Sequence, residues 1–356
     1  MEQEKISMRE LLALLFAALL CPAVRALPAR TAGAGRGGWL TALLALPVLL
    51  LLCGGLLRLL RQEGGLSQAL RRTLGRGMGT VAAGLYLLWG VVLLCVNLRL
   101  FGLRAVSAGY RNAPMPLFMA ALLALALWLA RRRAGVLVRA GQVFALALAL
   151  GLGTVLVLGS VQVDPKNVLP VWVADLPGAA AGTLPVFGVL GYAVYGAFFG
   201  ESVTRQEGGR KQVFRWAAVV CLTLAALQWV CLGAFGPGLT GRMEAPFFMM
   251  VKGVGIEGAF ERVEAVIIAL WVFADLALLA LLLRACCKIA ADILPIEERQ
   301  AAWPLAVIVL AGALWLFPNT FLLEHWLERV VLPGNLVAGF VLPGGALLLG
   351  VLRRRV

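Results

Sequence analysis

The chain is predicted to be an all-α polytopic membrane protein of about ten transmembrane helices, and three observations point there. Of its 356 residues, 62% are hydrophobic and only 14% are charged. Its mean hydropathy is +0.92. The apolar residues fall in runs near the length of one bilayer crossing, about 20 residues. A soluble domain carries roughly 25% charged residues, so a chain this apolar needs lipid as its solvent.

The runs are taken in order. The first goes from Leu11 to about Pro28 and is interrupted by Pro22 and Arg25. The second is Trp39–Leu60, the third Met78–Leu103, the fourth Pro116–Ala130 and the fifth Gly135–Val161. A polar stretch follows, with Asp164, Lys166, Asn167 and Asp175. The sixth run, Leu184–Val203, is glycine-rich. The seventh is Phe214–Phe235, the eighth Val263–Leu283, the ninth Trp303–Phe317 and the tenth Leu332–Leu352.

The net charge of +14 would suggest nucleic acid in a soluble protein. Here the bases sit in short clusters between apolar runs and are not interleaved with stacking aromatics, so no nucleic-acid partner is expected. Some two thirds of the 32 Lys and Arg fall on one side if ten spans are drawn, including Arg131–Arg133 and Arg353–Arg355. The positive-inside bias then places both termini in the cytoplasm. The first apolar run reads as a span and not as the core of a cleavable signal.

Ten spans divide into five plus five, residues 1–161 and 162–356 of one integral membrane domain. An odd-numbered half forces the second half to insert inverted, which is the geometry of inverted-repeat transporters. In that geometry the first helix of each half is often discontinuous. Spans one and six are the suspects, through Cys21-Pro22-Ala23-Val24-Arg25 and through Gly188-Val189-Leu190-Gly191-Tyr192. Proline removes a helical donor and glycine weakens a helix, so freed backbone groups there can bind a small polar ligand. A proline kink with a glycine packing face is the competing reading.

Ionisable groups inside spans are costly, and four stand out. Arg25 lies just beyond the expected break. It either receives a ligand carboxylate or snorkels to the interface, and the helical rise favours snorkelling. Arg99 is expected to snorkel too, with Asn97 facing the bundle. Glu201 ends span six. Asp275 lies near the middle of span eight and is too short to snorkel, which makes it a candidate proton or cation site. Its depth differs from that of Arg25 by about 10 Å at the helical rise, against a direct pair. Glu261, Arg262 and Glu264 open span eight, where acids favour the helix dipole, and are read as structural.

The seven cysteines form no CxxC pair and read as small apolar fillers. The lone His325 is read as a loop residue without metal partners, so no metal and no cofactor are expected. No G-x-S-x-G, P-loop or H-E-x-x-H is present, so no enzyme is expected. Gly75–Gly79 only superficially resembles a nucleotide loop and reads as a flexible lead-in to span three.

One further pattern spans most of the chain. Ala245-Pro246-Phe247-Phe248-Met249-Met250-Val251-Lys252 is followed by Phe260-Glu261-Arg262-Val263-Glu264-Ala265 and Leu270-Trp271-Val272. Ile6-Ser7 opens span one and Leu27-Pro28 closes it. Asn167-Val168-Leu169-Pro170-Val171 precedes span six, and Phe214-Arg215-Trp216-Ala217 enters span seven. In this order the segments resemble the GerAB-type B subunits of spore germinant receptors, spore germination permeases of the amino acid–polyamine–organocation superfamily.

The resemblance implies a LeuT-like fold and a nutrient sensor in the spore inner membrane. It would bind a small germinant such as an amino acid and work with an A-type and a lipoprotein C-type subunit. Carried over to this chain, the ligand would meet Cys21, Pro22, Ala23, Val24 and Arg25 of span one. It would also meet Gly188, Leu190, Gly191 and Tyr192 of span six, and Ala277 and Leu278 of span eight, with Trp271 structural. The chain departs from the pattern in three places. Cys21-Pro22-Ala23 replaces a glycine-bearing break, Ala193 stands near the place of a glutamate, and Ala274-Asp275-Leu276-Ala277-Leu278 replaces small polar residues. The implied pocket is therefore unusually apolar. An alternating-access amino-acid or small-solute transporter and a non-sensing scaffold subunit remain open alternatives.

Overall fold

The computed structural model describes residues 5–60, 64–107, 114–204, 208–253 and 263–352, with side chains from 270 onward in the last segment. Glu261 and Arg262 lie outside the described residues. Glu264 lies within a helix whose backbone alone is described there.

Among the described residues every regular element is helical apart from one isolated bridge, and each of the ten apolar runs lies in helix over nearly all its length. The first span is α1 (Met8–Thr31), whose start is fixed by the Ser7 N–H donating to Glu10 Oε2 at 3.0 Å. A 3₁₀ stretch, Ala32–Trp39, turns the chain at Gly35, whose φ of 64° favours glycine. Then come α2 (Leu40–Leu59), a short α3 (Leu66–Leu74), α4 (Arg76–Ser107), α5 (Met115–Arg131) and α6 (Ala134–Ser160). A loop with small helical turns leads through α7 (Leu176–Ala181) to the sixth span. That span is α8 (Thr183–Leu190) continued by a 3₁₀ segment, Gly191–Ser202. The seventh is α9 (Gly209–Thr240), broken near its end at Gly236. The amphipathic α10 (Pro246–Gly253) precedes α11 (Val263–Ile293), α12 (Glu298–Trp315) and a long tenth span. This last comprises α13 (Thr320–Trp326), α14 (Leu332–Leu336) and α15 (Leu342–Leu352), joined by π-helical turns at Leu327–Val331 and Val337–Val341.

Side-chain exposure agrees with lipid as the surrounding solvent. Leu51, Val157, Trp315 and Phe321 are all more than two thirds exposed on outward faces, where a soluble protein would carry charge. The centre of the bundle is α11, buried along nearly its whole described length, with α1 packed between it, α6 and α9.

Four sequence expectations change. The first span is not broken: α1 runs as one α-helix through Pro22 and Pro28. An internal proline removes a single hydrogen bond, and the packing around a buried helix holds the turn together. In the sixth span the discontinuity is a change of winding at Gly191, from α to 3₁₀, and not an unwound gap. The tenth span begins near Thr320, so His325 is helical and not in a loop. Arg76–Gly79 is the first turn of α4 and not a flexible lead-in. Gly79 packs so closely on α3 that a Cβ there would meet Arg71 Cα at 2.4 Å.

Candidate functional site

Pro22 and Arg25 sit one turn apart on α1 and face Val189 and Tyr192 of the sixth span. With Leu327, Val331 and Leu332 of the tenth span they line a cavity of about 20 Å³. That is room for about one water. The 3₁₀ segment beginning at Gly191 is what brings Tyr192 to the cavity. Gly191 also allows the backbones of the sixth and tenth spans to touch. A Cβ on Gly339 would lie 2.4 Å from Gly191 Cα, and one on Gly191 would lie 2.3 Å from the Asn335 carbonyl oxygen. Side chains stitch the same crossing together. Asn335 Nδ2 donates to the Gly188 carbonyl at 2.9 Å, and Trp89 Nε1 donates to Asn335 Oδ1 at 2.9 Å. The Tyr86 hydroxyl donates to the Ala338 carbonyl in the second π turn at 2.6 Å.

Arg25 dominates the cavity's chemistry. Arg25 is half-buried, and its Nη1 is buried with no hydrogen-bond partner. At the same cavity Arg30 pairs with Glu328 at 3.1 Å, joining α1 to the tenth span. The Tyr192 hydroxyl accepts from Asn97 Nδ2 at 3.1 Å, which places Asn97 inside the bundle. A guanidinium with one buried, free donor, an aromatic hydroxyl and apolar walls form a site suited to a small carboxylate with an apolar body.

A second polar centre lies on the other side of α1. Cys21 points away from the cavity, and its Sγ donates to Asp275 Oδ1 at 2.8 Å. The same oxygen receives Arg104 Nη2 at 2.6 Å, and Asp275 is 3% exposed. Arg104 also lies over the Phe248 ring, 5.8 Å from its centroid. Asp275 is therefore already neutralised by a cation of the chain itself. Sequence reasoning missed Arg104 because the third apolar run was ended at Leu103, whereas α4 continues to Ser107.

The remaining expected residues fall elsewhere. Ala23, Val24, Leu190, Ala277 and Leu278 are buried packing residues and do not line the cavity. Gly188 and Gly191 serve the crossing with the tenth span. Trp271 is buried against Phe247 and Phe248, with ring centroids 5.3 and 6.1 Å away. Arg99 does not snorkel: it is 8% exposed and reaches the Pro318 carbonyl at 3.4 Å. Glu201 pairs with Lys288 at 2.9 Å and accepts from Gln68 of α3. All seven cysteines are unpaired and buried. No group of three or more His, Cys, Asp or Glu is placed to hold a metal among the described residues. Asn335, Trp89 and Tyr86 had no sequence signal beyond a polar or aromatic residue within an apolar run, and Leu332 had none; Val189 lay inside the glycine-rich stretch but carried no signal of its own.

A family model described as spore germination protein matches residues 5–321. The chain belongs to the spore germination permease family. Its fold is that of LeuT-like transporters, a multi-pass helical membrane protein. A crystal structure of MhsT in complex with L-phenylalanine superposes with a TM-score of 0.73 at 16% identity, over 99% of this chain and 90% of that one. A substrate-bound, outward-open Na⁺-coupled sialic acid symporter superposes with a TM-score of 0.60 at 12% identity, over 95% and 79%. At such identities the likeness shows the fold alone. Among curated proteins there is no significant match.

Proposed function

We propose that this spore germination permease is the ligand-binding, non-enzymatic subunit of a germinant receptor, and that its ligand is a small nutrient carboxylate such as an apolar amino acid. The observation that carries the reading is the unpartnered, buried Arg25 Nη1 at the cavity between the first, sixth and tenth spans. A ligand carboxylate completes that donor set, and the apolar walls of Pro22, Val189 and Leu332 receive the side chain. The cavity is small, so ligand entry requires the Arg30–Glu328 side of the bundle to part. A receptor of this kind works in the spore inner membrane, with both termini cytoplasmic and with A-type and lipoprotein C-type subunits as partners. Asp275 would act as a proton or cation site only on opening of its pair with Arg104.

Binding of labelled L-phenylalanine and L-leucine to the purified protein in nanodiscs tests the site, with the corresponding amides as competitors. A charge-assisted hydrogen bond contributes about 1.5–3 kcal/mol, so Arg25→Gln is expected to weaken binding about tenfold to hundredfold. The amides should compete poorly with wild type. Equal competition by amide and acid would remove Arg25 from ligand recognition.

The fold shared with MhsT and the symporter favours one second reading, transport by alternating access. Uptake of the bound amino acid into proteoliposomes would establish transport. Saturable binding without uptake, with loss of nutrient-triggered germination in spores lacking the chain, supports sensing. Stable association with the partner subunits and no binding at all would leave a scaffold.

A further inference from the structure

A much larger cavity than the one at Arg25 opens on the basic face of the bundle. It is a crevice of about 1140 Å³ between the first turns of α1, the second half of α2, the 3₁₀ half of the sixth span and the start of α9. Leu11, Leu15, Leu50, Leu57, Ala193 and Phe214 are among its walls. Neighbouring outward faces are apolar and exposed, as at Val48 and Leu51, so the crevice opens among lipid-facing surfaces.

Its charge is confined to one end. Arg58, in the last turn of α2, and Arg210, in the first turn of α9, both line it and are exposed. Among the described residues neither has an acidic partner. Arg210 lies over the Phe214 ring with its guanidinium carbon 5.1 Å from the centroid, which ties that charge to an apolar wall. A long apolar trough ending in two guanidinium groups that no described acid neutralises is complementary to an amphiphile with an anionic head. Guanidinium groups bind phosphate bidentately, and basic pockets between membrane helices receive acidic head groups. A zwitterionic lipid brings its own cation and so gains less from two arginines. A helix of another protein could fill the trough but would need an acidic residue at its end to satisfy them.

We propose that this crevice is a binding site for an anionic phospholipid, with its phosphate on Arg58 and Arg210 and acyl chain between α1, α2 and α9. The trough's floor is the same span-six segment whose other end carries Tyr192, so the lipid packs against an element of the candidate ligand site.

Native mass spectrometry of the delipidated full-length protein with added phosphatidylglycerol or phosphatidylcholine tests the proposal. Wild type is expected to retain phosphatidylglycerol at least tenfold more than phosphatidylcholine. The double variant R58Q/R210Q should lose that preference, and R58K/R210K should keep part of it. Gly54→Leu fills the trough beside Phe214, where a Cβ would stand 3.7 Å from the ring, and should lower retention of phosphatidylglycerol with both arginines intact. Unchanged melting temperatures in lipid-free detergent would separate these effects from misfolding. If a variant melts early, the wild-type comparison of the two lipids still decides. Equal retention of the two lipids by wild type would overturn the proposal. So would an undiminished preference in folded R58Q/R210Q, or co-purification of a membrane-protein partner cross-linked in the crevice with no lipid retained.

Discussion

Asp275 and Arg104 form a costly pair inside the bundle, and the cost predicts how each variant behaves. A single charge at mid-membrane costs about 2.5–3.5 kcal/mol on insertion scales. Deleting one member of a buried pair costs about 3–5 kcal/mol, because the other is left uncompensated. Asp275→Asn should therefore lower thermal stability by about that amount, since Arg104 loses its 2.6 Å contact. The double variant Asp275→Asn with Arg104→Met should recover most of the loss, because no stranded charge remains. Unfolding of the single and double variants in detergent gives the coupling directly. Additive losses would mean that the pair is already open in solution. Cys21→Ala, which removes only a thiol donor to the same oxygen, should cost far less than Asp275→Asn. The acid was legible in the sequence as a group that cannot snorkel. Its partner was not, because sequence marks where a hydrophobic run thins and not where the helix stops.

At the scale of elements, the basic end of the sixth span is tied to the segment ahead of α1, to α3 and to α11. Ile6, ahead of α1, accepts from Thr204 N–H at 2.8 Å and donates to the Ser202 carbonyl at 2.7 Å, an isolated parallel bridge to the end of the sixth span. Beside it, Glu201 binds Lys288 of α11 and Gln68 of α3. Arg71 of α3 reaches the Asp292 carbonyl at 2.5 Å. Glu201→Ala removes the hub while leaving the backbone bridge. A partly exposed pair contributes up to about 1 kcal/mol, so amide exchange at Ile6 and Thr204 should speed up about fivefold. Exchange that stays at the wild-type rate would show that the bridge holds without the side chains. The long apolar helices were readable because twenty lipid-facing residues have one solution. The α3 helix was not: nine residues with Leu66, Ala69, Leu70 and Thr73 on its buried face give too short a period to stand out. The start of the tenth span was hidden by Glu324, His325, Glu328 and Arg329, charges that read as loop but sit on its exposed or paired side.

For the whole molecule, the number of crossings decides the topology, and the buried cysteines make that number measurable. Apolar length alone separates seven stretches among the described residues, because Met8–Leu59 counts as one stretch although Gly35 folds it into two helices, and because α5 has only 17 residues. Counting α1 and α2 separately and adding α5 and α12 gives ten helices to cross the bilayer. An even number puts the two termini on one side. The bias of Lys and Arg predicts that this side is the cytoplasm. All seven native cysteines are buried and unpaired, so an impermeant maleimide should leave the folded wild type unlabelled and react with it only after denaturation. Single introduced cysteines then report position without removing any native one. Lys166→Cys, in the exposed link between α6 and α7, is expected to be labelled from outside intact cells. Arg355→Cys should be labelled only after the cells are permeabilised. Labelling of both from outside would require an odd number of crossings between residues 166 and 355 to become even. The five-plus-five arrangement drawn from the sequence could not accommodate that change, since its second half begins outside and must end inside.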